Sequence, residues 1–128
     1  MEEHMEDKKL FMNTYTGRVF NPLEMVPDNV AIEDIAHALS MMCRGNGHLR
    51  FFYSVGLHSI NCAQEAIARG YQTGTVLACL LHDATEAYIA DLIRPVKNQL
   101  PEYEIMENNL FEVIKEKFFL QHLEEKEW

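Results

Sequence analysis

The sequence has 128 residues, of which 48% are hydrophobic and 24% are charged, and its formal net charge is −9. This length gives one domain with a single hydrophobic core, and the composition is that of a globular protein. No apolar stretch approaches the ~20 residues of a membrane-spanning helix, and the charged N-terminus lacks the apolar segment of a secretory signal. The net negative charge argues against non-specific binding to nucleic acid.

The cysteines indicate the redox compartment, and the distribution of charge indicates where an anion could bind. Cys43, Cys62 and Cys79 are widely spaced among apolar residues, which is typical of small buried side chains in a reducing compartment rather than of disulfides or a CxxC zinc site. We therefore expect a cytoplasmic protein. Residues 44–97 contain five basic and four acidic residues, a sum of +1, so the flanks carry −10. The central part is where a small anion would be tolerated.

The N-terminal part predicts a tail and a short ribbon. Residues 1–9 are charged and read as a flexible tail, and residues 10–128 form one predicted domain. β-favouring residues lie on both sides of Thr16-Gly17, so we expect a short β-ribbon within residues 10–20.

The first helix is predicted over residues 32–42, with Asp28 or Asn29 as its N-cap. His37 lies off its apolar stripe and reads as a surface or helix-pairing histidine. The stripe falls at helical spacing and consists of Ile32, Ile35, Leu39 and Met42.

A glycine loop follows, over residues 44–50. Two glycines break the helix, and the simplest interpretation is a plain turn. The loop also contains three side chains that can be positively charged, which modestly favours contact with an anion. These are Arg44, His48 and Arg50.

The second helix is predicted over residues 55–69, with Ser54 as N-cap and Gly70 as the C-terminal stop. His58 lies on or beside its buried side. Taken alone, His58 would be a hydrogen-bonded core histidine.

Three further segments are predicted to be helical. An apolar helix covers residues 75–82, another piece covers residues 84–90, and the last helix covers residues 102–119. Arg94 and Lys97 should lie on a loop, because Pro95 opposes helix continuation. A solvated loop and an anion-binding loop are weighed equally for these two cations.

The residues with the clearest chemistry surround His82-Asp83, at the end of the apolar helix. Ionisable groups beside so much apolar surface are costly unless they are paired or bind a metal. Together with His58, this pair offers two imidazoles and a carboxylate, a good ligand set for a divalent transition metal. Glu86 lies four residues after His82 and would share its face if the helix continued; the alternative is an ordinary surface carboxylate.

These segments resemble the HD-domain metal-dependent phosphohydrolases, in particular the five-prime deoxynucleotidase-like group. The resemblance covers about residues 13–115 and rests on blocks in a fixed order. Residues 32–40 and the glycine loop are similar to uncharacterised bacterial and phage relatives. The other blocks are residues 53–59 (YSVGLHS) and 80–97 (LLHDATEAYIADLIRPVK).

The resemblance implies an all-α bundle of five to six helices around one divalent ion. His58, His82 and Asp83 would be its ligands. Glu86 would match the glutamate that transfers a proton or orients water, and Asp91 would match an aspartate near the substrate sugar and leaving oxygen. The identity of the metal (Mn, Co, Fe, Zn, Ni or Mg) stays open.

Arg44 would match an arginine that orients the phosphate. The family follows that arginine with a tryptophan, whereas this chain has Gly45. Arg94, Lys97 and His48 are further candidates for the phosphate.

One departure from the family concerns a downstream aspartate ligand. This chain has no aspartate after Asp91. A glutamate of the last helix could replace it, the protein could have lost its metal, or a C-terminal helix could be missing; the bulky apolar end near Phe118 and Trp128 favours the last.

The expected function is hydrolysis of a small phosphomonoester, with a nucleoside monophosphate as the favoured substrate. The alternative is a catalytically impaired module that binds a nucleotide or a metal. A purely structural helical domain acting through its apolar end is the third hypothesis, and it leaves the polar set unexplained. No membrane partner is expected, and a homodimer stays open.

Overall fold

The computed structural model of the chain describes residues 9–120. Its N-terminal part is an antiparallel ribbon of β1 (Met12–Asn13) and β2 (Val19–Phe20), paired Met12 to Phe20 and Asn13 to Val19. Gly17 at the turn has φ 88°, a left-handed conformation that favours glycine. The predicted ribbon is confirmed, and most of the predicted tail lies outside the described residues.

The rest of the described chain is mostly helical, which confirms the predicted all-α class. Two 3-10 turns, Pro22–Glu24 and Pro27–Asn29, pack against the last helix. The helices follow in chain order: α1 (Ile32–Ser40), α2 (Val55–Ala68), α3 (Thr73–Leu81), α4 (Glu86–Ile89), α5 (Arg94–Lys97) and α6 (Pro101–Lys117).

The N-cap expected for α1 is wrong. Asp28 and Asn29 belong to a 3-10 turn, and the residue before the helix is Ala31, which has no capping side chain. The Asn29 carboxamide instead accepts a hydrogen bond from the Val26 amide (2.9 Å). Pro27 begins that turn, because a proline is well suited to a first helical position.

The limits predicted for α2 are confirmed to within one residue. Ser54 Oγ accepts a hydrogen bond from the Leu57 amide at 2.9 Å, and Gly70 has φ 78°. A side-chain acceptor at the start and a glycine after the end therefore define this helix, as the sequence indicates.

The loop expected at Arg94 and Lys97 is instead the single helical turn α5. Pro95 lies in its first turn, where proline needs no hydrogen bond and its fixed φ suits a helix. Pro95 therefore does not break a helix at this position but helps to start one.

One buried cluster holds the ribbon and the helices together. Ile32, which belongs to the predicted apolar stripe of the first helix, is instead 44% exposed. At the C-terminal end, Leu120 is buried and Phe119 is exposed, whereas Trp128 lies outside the described residues. The most deeply buried members of the cluster include Val30, Ile35, Leu39, Val55, Leu81, Leu110 and Ile114.

Among residues 9–120, no helix is both long enough and apolar enough to cross a membrane.

Candidate metal and phosphate site

The packing of α2 against α3 brings His58 to Asp83. These two helices form the most extensive contact between elements. Gly56, near the start of α2, lets the helix approach α1 closely, since a Cβ there would lie 3.2 Å from the Ser40 nitrogen. His58 Nε2 lies 3.6 Å from Asp83 Oδ2, and both side chains are about three-quarters buried.

His82 contacts the other oxygen of the same carboxylate. Its Nδ1 lies 3.2 Å from Asp83 Oδ1, and the ring is 60% exposed. Asp83 thus has an imidazole at each oxygen. Within the described residues, no three His, Cys, Asp or Glu side chains already converge on one point as a complete metal-binding group.

The backbone after α3 determines where Glu86 lies. Residues 82–85 are turns rather than a continued α-helix, and the bonds from the Ala84 amide to Leu81 and from the Glu86 amide to Asp83 span three residues. Side chains three apart are eclipsed in such turns. Glu86 therefore meets Asp83, rather than sharing the face of His82 as an unbroken helix would require.

Asp83, Glu86 and Asp91 form a carboxyl cluster. The Glu86 carboxyl hydrogen-bonds to both aspartates. Burial raises the pKa of Glu86 to about 9, and the negative charges of Asp83 and Asp91 add to the effect. Burial also opposes ionisation of Asp83, but hydrogen bonds with His82 and Glu86 outweigh it and lower the pKa of Asp83.

The pKa values of the two imidazoles are shifted in opposite directions. Burial lowers the pKa of His58, and the nearby positive charge of Arg44 lowers it further. The hydrogen bond to Asp83 raises the pKa of His82 against the effect of burial. His58 is therefore the imidazole that more readily offers a lone pair at neutral pH.

A cavity of about 510 Å³ opens beside His82 and Asp83. Lys97 Nζ lies 2.7 Å from Glu107 Oε1 and 2.9 Å from Oε2, so this ammonium is already paired. No ion pair is described for Arg94, which is exposed. The charged lining residues are Asp83, Glu104, Glu107 and Glu112 with Arg94, Lys97 and Lys115.

The glycine loop brings Arg44 close enough to His58 to lower its pKa. Arg44 begins a 3-10 turn in which Gly45, Asn46 and Gly47 have positive φ. The Arg44 amide donates to the Tyr53 carbonyl at 2.8 Å, which closes the loop. His48 is exposed at the end of this turn, and no contact between it and the imidazole–carboxyl cluster is described.

Three neighbours of the site were not expected from the sequence. Cys62 Sγ lies 3.5 Å from His58 Nε2, and the Tyr53 ring lies edge-on to His58 with centroids 6.3 Å apart. The i,i+4 spacing of His58 and Cys62 on one helix was a usable signal. The Tyr103 hydroxyl donates to the Ala90 carbonyl, and no sequence pattern indicated that contact.

Two bacterial proteins are similar to this chain. The chain is 40% identical over 110 residues to the uncharacterized protein YfdR of Escherichia coli K12, which covers 86% of this chain and 59% of YfdR. It is 39% identical over 95 residues to the uncharacterized protein RCAP_rcc00048 of Rhodobacter capsulatus, covering 70% and 48%. The chain thus spans about half the length of the curated relatives it matches. No family model matches the sequence.

Proposed function

We propose that the chain is a metal-dependent phosphohydrolase acting on a small phosphomonoester, with a nucleoside monophosphate as the favoured substrate. The observation that carries the proposal is the approach of His58 to Asp83 across two helices, with His82 at the second carboxylate oxygen. The resemblance of the surrounding segments to HD-domain phosphohydrolases supports the same assignment.

The donor atoms fit a divalent ion. Two ligands at about 2.0–2.2 Å from one ion, at angles of about 90–110°, are roughly 2.9–3.6 Å apart. The separation of 3.6 Å between His58 Nε2 and Asp83 Oδ2 is at the upper end of this range. His82, which lies at the other oxygen of the Asp83 carboxylate, would complete the set. A bound ion would act as a Lewis acid and lower the pKa of a water molecule.

The charge of the cavity also favours a cation. Its three basic and four acidic lining residues sum to −1 with His82 neutral. A divalent ion would change this sum to +1, which a phosphate dianion prefers. Without a cation, the cavity has no net attraction for phosphate.

The remaining residues have roles that follow from their positions. Glu86, in contact with Asp83, would accept or relay the proton of the attacking water. Arg44 and Arg94 would neutralise charge on the phosphoryl oxygens. Lys97 could join them only by leaving Glu107, to which it is paired. Asp91 would hydrogen-bond the substrate near its leaving oxygen.

A binding module without turnover is the second candidate. Two observations favour it: the chain has no aspartate after Asp91, and the described residues contain no complete group of three ligands. Such a module would hold a metal or a nucleotide through His58 and Asp83 but release no phosphate. In the hydrolase, His48 and Arg50 would be secondary candidates for contact with the phosphate.

The experiment measures metal content and phosphate release separately. The purified chain is stripped with a chelator and reloaded with Mn²⁺, Co²⁺ or Mg²⁺. Metal is then quantified by mass spectrometry, and phosphate release is assayed over a panel of nucleoside monophosphates. We expect one ion per chain, lost in His82→Ala and in Asp83→Asn, and retained in the matched control His37→Ala, since His37 stacks on Tyr15 instead.

Each result has one meaning. Unchanged metal content in His82→Ala would refute the ligand assignment. Bound metal without phosphate release from any nucleotide would select the binding module. Phosphate release that survives both the chelator and Asp83→Asn would exclude the proposed mechanism.

A further inference from the structure

The peptide between Ala90 and Asp91 has an unusual conformation. Ala90 has φ 74° and ψ 164°, a region occupied almost only by glycine because a Cβ clashes with the backbone. Strain of this kind persists only where surrounding contacts impose it, and it is concentrated at functional sites. Here it directly precedes Asp91, one of the proposed site residues.

Hydrogen bonds hold both polar groups of Ala90. Its amide donates to the Glu86 carbonyl at 3.1 Å, which completes the last turn of α4. Its carbonyl accepts from the hydroxyl of Tyr103, a buried residue on α6. The first bond belongs to the helix, so the second is the one that fixes the direction in which the chain leaves it.

The Tyr103 ring is itself held by charged neighbours. Lys97 Nζ lies 5.8 Å from the ring centroid, within range for a cation–π contact. The same ammonium pairs with Glu107, one turn after Tyr103 on α6. Lys97 therefore joins α5 to α6 beside the tyrosine, which leaves the hydroxyl little freedom to move away from Ala90.

The direction of the chain at Ala90 determines where the Asp91 carboxyl lies. In the observed conformation this carboxyl reaches Glu86 and hydrogen-bonds to it. If Ala90 relaxed to a negative φ, the peptide would rotate and the following side chain would point elsewhere. The conformation of Ala90 therefore sets the position from which Asp91 reaches the carboxyl cluster.

We propose that Tyr103 is a positioning residue whose hydroxyl holds the Ala90 peptide and thereby keeps Asp91 against Glu86. That Tyr103 holds the Ala90 peptide does not depend on the activity of the chain, whereas the effect of Tyr103 on catalysis rests on the proposed phosphohydrolase function. Tyr103 touches neither the proposed ligands nor the phosphate-binding cations by a described hydrogen bond. Its role is therefore exerted through Ala90 and Asp91.

Four variants test the proposal: Tyr103→Phe, Ala90→Gly, the double variant, and the matched control Tyr71→Phe, which removes the hydroxyl of an exposed tyrosine just after α2. The first readout is NMR, where a strong intraresidue Hα–HN Overhauser effect marks the positive φ of Ala90 and the Asp91 amide shift reports its surroundings. The second readout is kcat and KM for phosphate release. Both are measured well below the unfolding temperature.

Tyr103→Phe should lose the strong Overhauser effect and shift the Asp91 amide. It should lower kcat on the order of tenfold, because misplaced groups lose rate steeply, and it should leave KM and metal content unchanged. Glycine adopts positive φ freely, so Ala90→Gly in the Tyr103→Phe background should restore the Asp91 shift and most of kcat. A general loss of stability would give no such restoration of the Asp91 shift.

Ala90→Gly alone covers the case in which Tyr103→Phe fails to fold. It should raise Tm by roughly 4 °C through relief of strain, with the Asp91 amide unmoved. A lowered Tm in Ala90→Gly, or an unchanged Overhauser effect in Tyr103→Phe, would overturn the proposal. A wild-type chain that releases no phosphate would refute the proposed function, while the NMR comparison would still decide the role of Tyr103.

Discussion

The raised pKa of Glu86 predicts how Glu86→Gln changes stability with pH. The ordinary pKa of a glutamate is 4.5, and that of Glu86 in the folded protein is about 9. Glutamine keeps a hydrogen-bond donor and acceptor but does not ionise. The folded wild type holds a proton that the unfolded chain has released at neutral pH, whereas the variant has no such difference.

Proton linkage gives the sign and size of the change in the free energy of unfolding with pH. The bound proton stabilises the folded state fully below pH 4.5, and its contribution is lost as the pH rises through about 9. One extra proton in the folded state lowers the free energy of unfolding by about 1.4 kcal/mol per pH unit, or up to about 3 kcal/mol between pH 6 and 8. Because the carboxyl is only partly buried, screening reduces this to roughly 1–3 kcal/mol.

Urea unfolding of the chelator-treated protein at pH 6, 7 and 8 measures this effect. The wild type should lose stability over this range more steeply than Glu86→Gln, and the variant should be the more stable protein at pH 8. Comparing the two proteins cancels the pH-dependent contributions that the histidines and the other carboxyls make to stability in both. The control is Glu116→Gln on the exposed face of α6, which should follow the wild type. Equal slopes in the wild type and Glu86→Gln would refute the carboxyl cluster.

Two further predictions concern the scaffold. Asp34→Asn should destabilise the protein by about 1–3 kcal/mol in urea unfolding. The buried Asp34 carboxylate accepts hydrogen bonds from the Thr16 amide (2.7 Å) and the Thr16 hydroxyl (3.0 Å). An unchanged urea midpoint would show that these hydrogen bonds do not anchor the ribbon. Gly56→Ala should lower the free energy of unfolding, because its Cβ would lie 3.2–3.4 Å from the backbone of α1. The Cβ of Gly74→Ala would meet open space, so this variant should raise the free energy of unfolding by about 0.5 kcal/mol. The same response in both glycine variants would contradict the close approach of α1 and α2.

Local signals in the sequence predicted the helices well where a single residue decides the outcome. Ser54 and Gly70 bound α2 because a hydroxyl cap and a positive φ need only their immediate neighbours. Pro95 was misjudged because proline both starts and stops helices, and the choice depends on where the preceding chain has already turned. The limits of a short helix such as α5 are therefore set by packing rather than by its own residues.

The site was accessible to sequence reasoning only in part. The ionisable groups at residues 58, 82 and 83 stand out because they interrupt apolar helices, and the structure brings these three side chains together. The contacts of Tyr103 with Ala90 and of Lys97 with Glu107 depend on how α6 lies against the chain after α4. No periodicity or spacing carries that information, since the partners belong to segments without a shared pattern.

If the proposed function holds, the carboxyl cluster would connect protonation to metal binding. Asp83, Glu86 and Asp91 bring three acidic groups within hydrogen-bond contact, and such a group is stable only if a positive charge enters it. In the absence of metal, that charge is the proton on Glu86. A divalent ion held by His58 and Asp83 would supply the charge instead and release the proton, leaving Glu86 as the base that hydrolysis requires. Under the proposed function, the cluster would therefore hold the Glu86 proton until a cation displaced it.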